Sequence, residues 1–479
     1  MSKRLSRRTY AVAFALVLFL FFAFEKLASP RRLDVRFLQL GETQWKGYAR
    51  PARLTTVMAH QPGFTVFENL YWQNDSFYIV TDQPWTIPNV DHIAIRSTPK
   101  HDGVPTADKA VRILAIREPG INAFVREENQ LGTSILLEDA VELTSSAEDL
   151  PSPLLLNYDD MFVCHYYHWI GETFLGAWRI WSHYRYRAGA VLDDFKVVSF
   201  PYMYDLDKTP KGLNYDHQWE DHAGANRFFM EKWFPGITIE SRTTWEARAA
   251  SNKLYRMPTV VLANRWAGHR GPSSAWKPWG DVLRMPVHPG YLLNLRQRVL
   301  KGYNGPVKLH PTRRPRVKYL TRQETNRRLT GAAHEALVEE MLKLDREGLV
   351  EFSMLHFVDG DSFPDQVAQI ASTDFLIAVH GNGLTHSLWM TPGPCKAVFE
   401  LQPKPCSLND FSPLAIAAGV VHYLVTEDSM CTPLECADRG CQGHPDGVNR
   451  ANIVVDPQLI SHQIRHIIAR HWRDGSEVE

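Results

Sequence analysis

A two-domain α/β protein is the fold class that this sequence predicts, and two observations carry the prediction. From Val317 onward, short apolar runs alternate with helical stretches, the pattern of a doubly wound parallel sheet in which ligands sit beyond the carboxyl ends of the strands. One unit of that series, Ala371 to Met390 (ASTDFLIAVHGNGLTHSLWM), reads as strand, glycine turn and helix start. Such a turn aims free backbone N–H groups and the positive end of a helix at an anion. Its glycines let the backbone approach a ligand with no Cβ in the way.

The chain of 479 residues is long enough for two full cores, and 44% hydrophobic with 22% charged residues is ordinary for a globular protein. With 53 basic and 53 acidic residues the formal charge is zero, which gives no support to nucleic-acid binding. Fourteen Trp and 17 Tyr suit sugar rings as stacking platforms, although large cores use them too. Lys3, Arg4, Arg7 and Arg8 precede an uncharged run from Tyr10 to Phe24, closed by Glu25 and Lys26. This reads as a short signal-anchor helix over residues 10–24, because Lys-Leu-Ala-Ser-Pro makes a poor cleavage site. The basic residues ahead of the span would keep residues 1–9 cytosolic and place the rest in a lumen. Residues 25–60 show no sustained period and read as a stem.

Residues 61–303 form the expected first domain. Its start is β-rich, with strand-like runs at Phe77–Val80, His92–Ile95 and Val111–Ile116. Asn157 to Trp181 (NYDDMFVCHYYHWIGETFLGAWRIW) then turns long, aromatic and helical, with Trp169, Phe174, Ala177, Trp178 and Trp181 on one face. His168 and Glu172 are four apart and share another face. An imidazole held by a carboxylate is the arrangement of a general base, and it is equally that of a helix-stabilising pair. Strands are expected at Phe195–Phe200 and Leu254–Ala263, and helices at Arg227–Phe234 and Tyr291–Tyr303. Residues 304–316, rich in Pro and Arg, read as a linker.

The second domain, 317–479, takes its strands from Val317–Leu320, Val350–Leu355, Phe375–Val379, Ala397–Leu401 and Val420–Val425. Helices are expected at Ala332–Leu344, Phe363–Ala371 and Leu414–Ala418. Arg322 follows the first of these strands, and a permanently charged guanidinium there suits a diphosphate. Arg327 and Arg328 read as solvated. Asp359-Gly360-Asp361 is a literal D-x-D, short enough that a turn or helix cap explains it. Cys395, Cys406, Cys431, Cys436 and Cys441 cluster and read as disulfides in no standard zinc pattern, with Cys164 apart. Asn74-Asp75-Ser76 is an N-glycosylation sequon.

His380 to Met390 (HGNGLTHSLWM) resembles the H-G-A-G-L-T-N-x-(L/F)-(F/W/M) signature of glycosyltransferase family 61, with Asn382 in place of Ala and His386 in place of Asn. Tyr166-Tyr167-His168-Trp169-Ile170-Gly171-Glu172 is similar to that family's N-x-(F/Y)-H-x-x-x-(D/E). Thr321-Arg322-Gln323 and Asp365-Gln366 resemble its (S/T)-R-x and acidic-Gln pairs, and the likeness covers roughly residues 155 to 405. The resemblance implies a GT-B enzyme, two facing Rossmann-like domains that invert the anomeric carbon. A UDP-sugar, with xylose or N-acetylglucosamine as the sugar, is the implied donor, and a glycan or glycoprotein hydroxyl is the acceptor. Arg322, His380, Gly381, Asn382, Gly383, Leu384 and Thr385 would steady the diphosphate, and His168 or Glu172 would be the base. No permanently bound cofactor and no divalent metal are expected, and a single-pass type II placement in the Golgi or endoplasmic reticulum membrane is. The alternatives are a D-x-D metal-dependent transferase, or a lumenal carbohydrate-binding protein without catalysis.

Overall fold

The computed structural model describes residues 52–95, 111–117, 132–273, 277–288, 290–301, 314–357, 362–436, 441, 452–473 and 476–477. The expected anchor, most of the stem, the linker up to residue 313 and the Asp359–Asp361 motif lie outside the described residues. Among the described residues no helix is long and apolar enough to cross a membrane.

The first sheet is built from β1 (Thr56–Gln61), β2 (Phe64–Gln73), β3 (Ser76–Thr81), β4 (Val111–Arg117), β5 (Gly132–Leu136), β6 (Leu154–Asn157), β7 (Val197–Ser199), β8 (Thr238–Glu240) and β9 (Tyr255–Ala263). Its order is β5-β4-β3-β2-β9-β6-β7-β8, with β1 against β2. Only β2 runs against its neighbours; the pairs β3–β4, β4–β5, β9–β6, β6–β7 and β7–β8 are parallel. Two expectations need correcting here. The end of the expected stem is strand β1, which Pro62 and Gly63 fold back onto β2. His92–Ile95 is not a strand: Asn89 accepts a hydrogen bond from the Asp91 N–H and caps the short helix Val90–Ile93.

The second sheet comprises β10 (Arg316–Leu320), β11 (Glu351–Leu355), β12 (Phe375–Val379), β13 (Ala397–Leu401), β14 (Val421–Val425) and β15 (Met430–Cys431). Its order is β11-β10-β12-β13-β14-β15, parallel except for β15. β12 and β13 are buried along their whole length, as continuous apolar strands between helical layers must be. Helix Gly331–Arg346 leads to β11 on one side of β10, and helix Phe363–Ala371 returns the chain to β12 on the other side. The strand order therefore reverses between β10 and β12, the position where sheets of this kind bind ligands. The first sheet has its own reversal, where β9 returns beside β6.

One hydrophobic core joins the inner faces of both sheets. It includes Phe64, Leu155, Trp178, Phe229 and Trp233 from the first half with Leu376, Ala378, Trp389 and Val398 from the second. Phe174 stacks on Trp233 at 4.2 Å and Phe229 on Trp389 at 4.6 Å. Each such pair contributes about 1 kcal/mol beyond the area it buries. Arg296 adds donors to the Trp389 and Met390 carbonyls and to Thr391 Oγ1. Disulfides join Cys406 to Cys441 and Cys431 to Cys436. Cys395, grouped with them from the sequence, is instead buried in the core on the second sheet's other face.

Candidate active site

The turn after β12 is shaped from behind. The His380 side chain is buried and points inward, its Nδ1 2.5 Å from Glu400 Oε1 and its Nε2 3.7 Å from Asp410. Glu400 also meets His422 Nε2 at 2.8 Å. Burial works to raise the Glu400 carboxyl, but the bonds from His380 and His422 outweigh it and bring it down to about 2. The His380 ring is therefore turned away from a ligand, and its backbone N–H is bonded to the Leu401 carbonyl at 3.0 Å. Gly381 follows with φ +155°, and an added Cβ there would strike the Arg322 guanidinium. Only glycine lets that arginine lie across the turn.

Arg322 leaves the end of β10, donates Nε–H to Thr325 Oγ1 at 2.9 Å and Nη1–H to the His380 carbonyl at 3.2 Å. Arg327 reaches the same carbonyl at 3.5 Å. Burial and the neighbouring Arg327 lower Arg322 to about 10, and burial lowers Arg327 as well. Among the described residues neither arginine forms an ion pair with a carboxylate. Two desolvated cations side by side are costly; Asp410 offsets part of this cost at Arg327, and a bound diphosphate would relieve the rest for both cations. Arg327 is thus part of the turn's surroundings and not a solvated arginine, a correction to the sequence reading. The 3-10 helix Asn382–Trp389 starts here with no side-chain cap.

Facing it, at the reversal of the first sheet, Asp159 Oδ1 accepts from the Arg265 N–H at 2.7 Å and from Asn264 Nδ2 at 3.1 Å. This fixes Arg265 at the end of β9. The helix that carries the expected base opens as a π-helix, Tyr167–Phe174, before settling into α-helix at Leu175–Arg187. His168 Nδ1 lies 2.7 Å from Glu172 Oε2. Glu172 is fully buried, and Arg265 Nε and Lys277 Nζ also contact it, at 2.6 and 2.8 Å. Burial works to raise this carboxyl, but His168, Arg265 and Lys277 outweigh it and hold it well below the usual range. Glu172 is thus an anion that holds the His168 ring through Nδ1 and makes no contact with Nε2.

Asn382 Oδ1 accepts from the Tyr167 N–H at 3.1 Å, and Tyr167 OH donates to the Asp410 carbonyl at 2.8 Å. Lys277 bridges Glu172 to Asp410 Oδ2, 3.4 Å away. A cleft of about 390 Å³ lies beside these ties, lined by Arg322, Thr321, Asn382 and Gly383 from the second half and by His165, Tyr166 and His222 from the first. Of the expected site residues, Arg322, Asn382 and Gly383 line it. Leu384 and Thr385 are fully buried behind the turn, and His168, with 29% of its side chain exposed, stands next to the cleft. The sequence reading passed over His165, whose ring centre is 5.7 Å from that of His168 and whose Nε2 lies 3.3 Å from Asp216 Oδ1. Its signal was visible: it stands where the family pattern begins with Asn. His386 and Gln366 also line the cleft and meet at 3.1 Å.

Parallel strands thus deliver a cationic turn to one side of a cleft and a carboxylate-held imidazole to the edge of the other, an arrangement compatible with a group-transfer enzyme. Residues 166–398 match the family model Glycosyltransferase 61. The chain carries a glycosyltransferase family 61 catalytic domain, and the protein is a glycosyltransferase. No curated protein matches the sequence.

Proposed function

We propose that the protein is an inverting GT-B glycosyltransferase that moves a sugar, xylose or N-acetylglucosamine, from a UDP-sugar to a hydroxyl of a glycan or glycoprotein. The observation that carries this reading is the pair Arg322 and Arg327, desolvated at the strand reversal beside an uncapped helix start. Their charge suits a diphosphate, with no divalent metal or resident cofactor assigned to hold it. His168 Nε2 takes the proton from the acceptor hydroxyl as its oxygen bonds to the anomeric carbon. The bond from that carbon to the diphosphate oxygen breaks, and UDP leaves with the electron pair. Negative charge grows on the diphosphate in this step, so donors already in place lower the barrier. Residues 10–24 would anchor the protein in a Golgi or endoplasmic reticulum membrane with the catalytic part in the lumen.

Full-length protein incubated with a panel of UDP-sugars, with and without EDTA, tests the proposal. One sugar should be turned over whether or not EDTA is present, and Arg322→Ala should abolish that turnover. Turnover that is lost with EDTA and restored by magnesium or manganese, or that is retained by Arg322→Ala, would overturn it.

A further inference from the structure

On the first half's side of the cleft, Cys164, His165 and Asp216 form a cluster the transfer chemistry does not use. The thiol, an imidazole nitrogen and a carboxylate oxygen all lie within 4.8 Å of one another, and Cys164 and His165 line the cleft. Cys164 is 1% exposed, and His165 Nε2 is already 3.3 Å from Asp216 Oδ1, close to the spacing of two ligands around a tetrahedral ion. The surroundings are ordered as a coordination shell needs. Asn214 Nδ2 donates to Asp216 Oδ2 at 3.3 Å, so that an ion need replace only the contact between Oδ1 and His165 Nε2, and Tyr215 OH donates to the Cys164 carbonyl at 3.0 Å. Two buried or half-buried donors come from adjacent residues ahead of a helix, and the third from a separate loop, so the cluster is assembled by tertiary structure.

We propose that Cys164 Sγ, His165 Nε2 and Asp216 Oδ1 bind a zinc-class divalent cation, with the remaining coordination position open to the cleft. A sulfur, nitrogen and oxygen set selects zinc or cobalt over magnesium or calcium. Binding replaces the thiol proton, which passes to solvent, so the bound sulfur is a thiolate. The open position would take water or a substrate oxygen. This ion stands on the opposite half from Arg322 and Arg327 and is no substitute for them at the diphosphate. The inference does not depend on which sugar is transferred.

The test is a titration of the full-length protein with cobalt(II), read by the thiolate-to-cobalt charge-transfer absorption in the near ultraviolet. Saturation at one ion per chain is expected, with the band absent in Cys164→Ser. His165→Asn, which changes a half-exposed side chain to the residue of the family pattern, should bind at least about tenfold more weakly. Thermal unfolding of each variant checks that the fold is kept, and His165→Asn carries the test should Cys164→Ser fail to fold. No charge-transfer band, a band that survives Cys164→Ser, or unchanged affinity in His165→Asn would overturn the proposal. Because no turnover is measured, its failure is distinct from failure of the donor assignment.

Discussion

Asn382 Oδ1 accepts the backbone N–H of Tyr167 at 3.1 Å, so the turn that ends one sheet caps the helix that carries His168 on the other. The first N–H groups of a helix have no partner inside it, and here one of them is supplied across the cleft. Asn382 stands where the family signature has Ala. Asn382→Ala should cost about 1 kcal/mol of stability, the ordinary value of a lost cap. Its effect on transfer should be larger, a fall in kcat of about tenfold or more, because His168, the proposed base, would lose its register with the turn that faces it. Chemical denaturation and steady-state kinetics check both; a variant with unchanged kcat would mean that the tie is only structural.

Glu172 is expected to be indispensable to the fold. Glu172→Gln removes the charge that Arg265 and Lys277 share; Arg265, its side chain 12% exposed, loses its counterion, while Lys277 keeps Asp410 at 3.4 Å. Stranding a buried cation in this way costs about 3–5 kcal/mol. Urea unfolding of the variant should show a loss of that order, and a loss under 1 kcal/mol would mean that water already screens the cluster. His168→Gln leaves those contacts in place and should lose transfer at nearly full stability.

Acid should weaken the protein through His386. Burial lowers this histidine to about 3, so the folded state keeps it neutral while the unfolded chain protonates it near 6.5. The folded value is the depressed one, so the stability is present above pH 6.5 and is lost as pH falls toward 3. Each unit in that window removes about 1.4 kcal/mol. His386→Asn should flatten the slope of unfolding free energy against pH relative to the wild type, while His60 and His269, also lowered by burial to about 4, keep their share in both proteins. Parallel curves for the two proteins would refute this role.

Local pattern made most of the second sheet legible. Phe363–Ala371, Phe375–Val379 and Ala397–Leu401 lie where their apolar runs and flanking Pro, Asp and Gly place them, since buried parallel strands and their helices are written as continuous segments. The pairing of His168 with Glu172 followed from helical spacing alone. What was hidden is what depends on distant residues. Arg327 looked like a surface charge because nothing near it in sequence shows that the His380 carbonyl lies above it. Nothing near Glu172 in sequence shows that Arg265 and Lys277, far along the chain, share its charge. The antiparallel strand β2, inserted between otherwise parallel neighbours, has no local signature that distinguishes it from them.

The stack of Phe229 on Trp389 and the three bonds from Arg296 also bear on how the enzyme cycles. A jaw hinged between the sheets would have to peel an indole off a phenyl ring and strip a guanidinium of its acceptors with every stroke, exposing both to water. Such contacts favour two halves held like a vise already set. If the proposed nucleotide is the leaving product, its way out would then lie past the loops at the cleft's rim, not through a parting of the sheets.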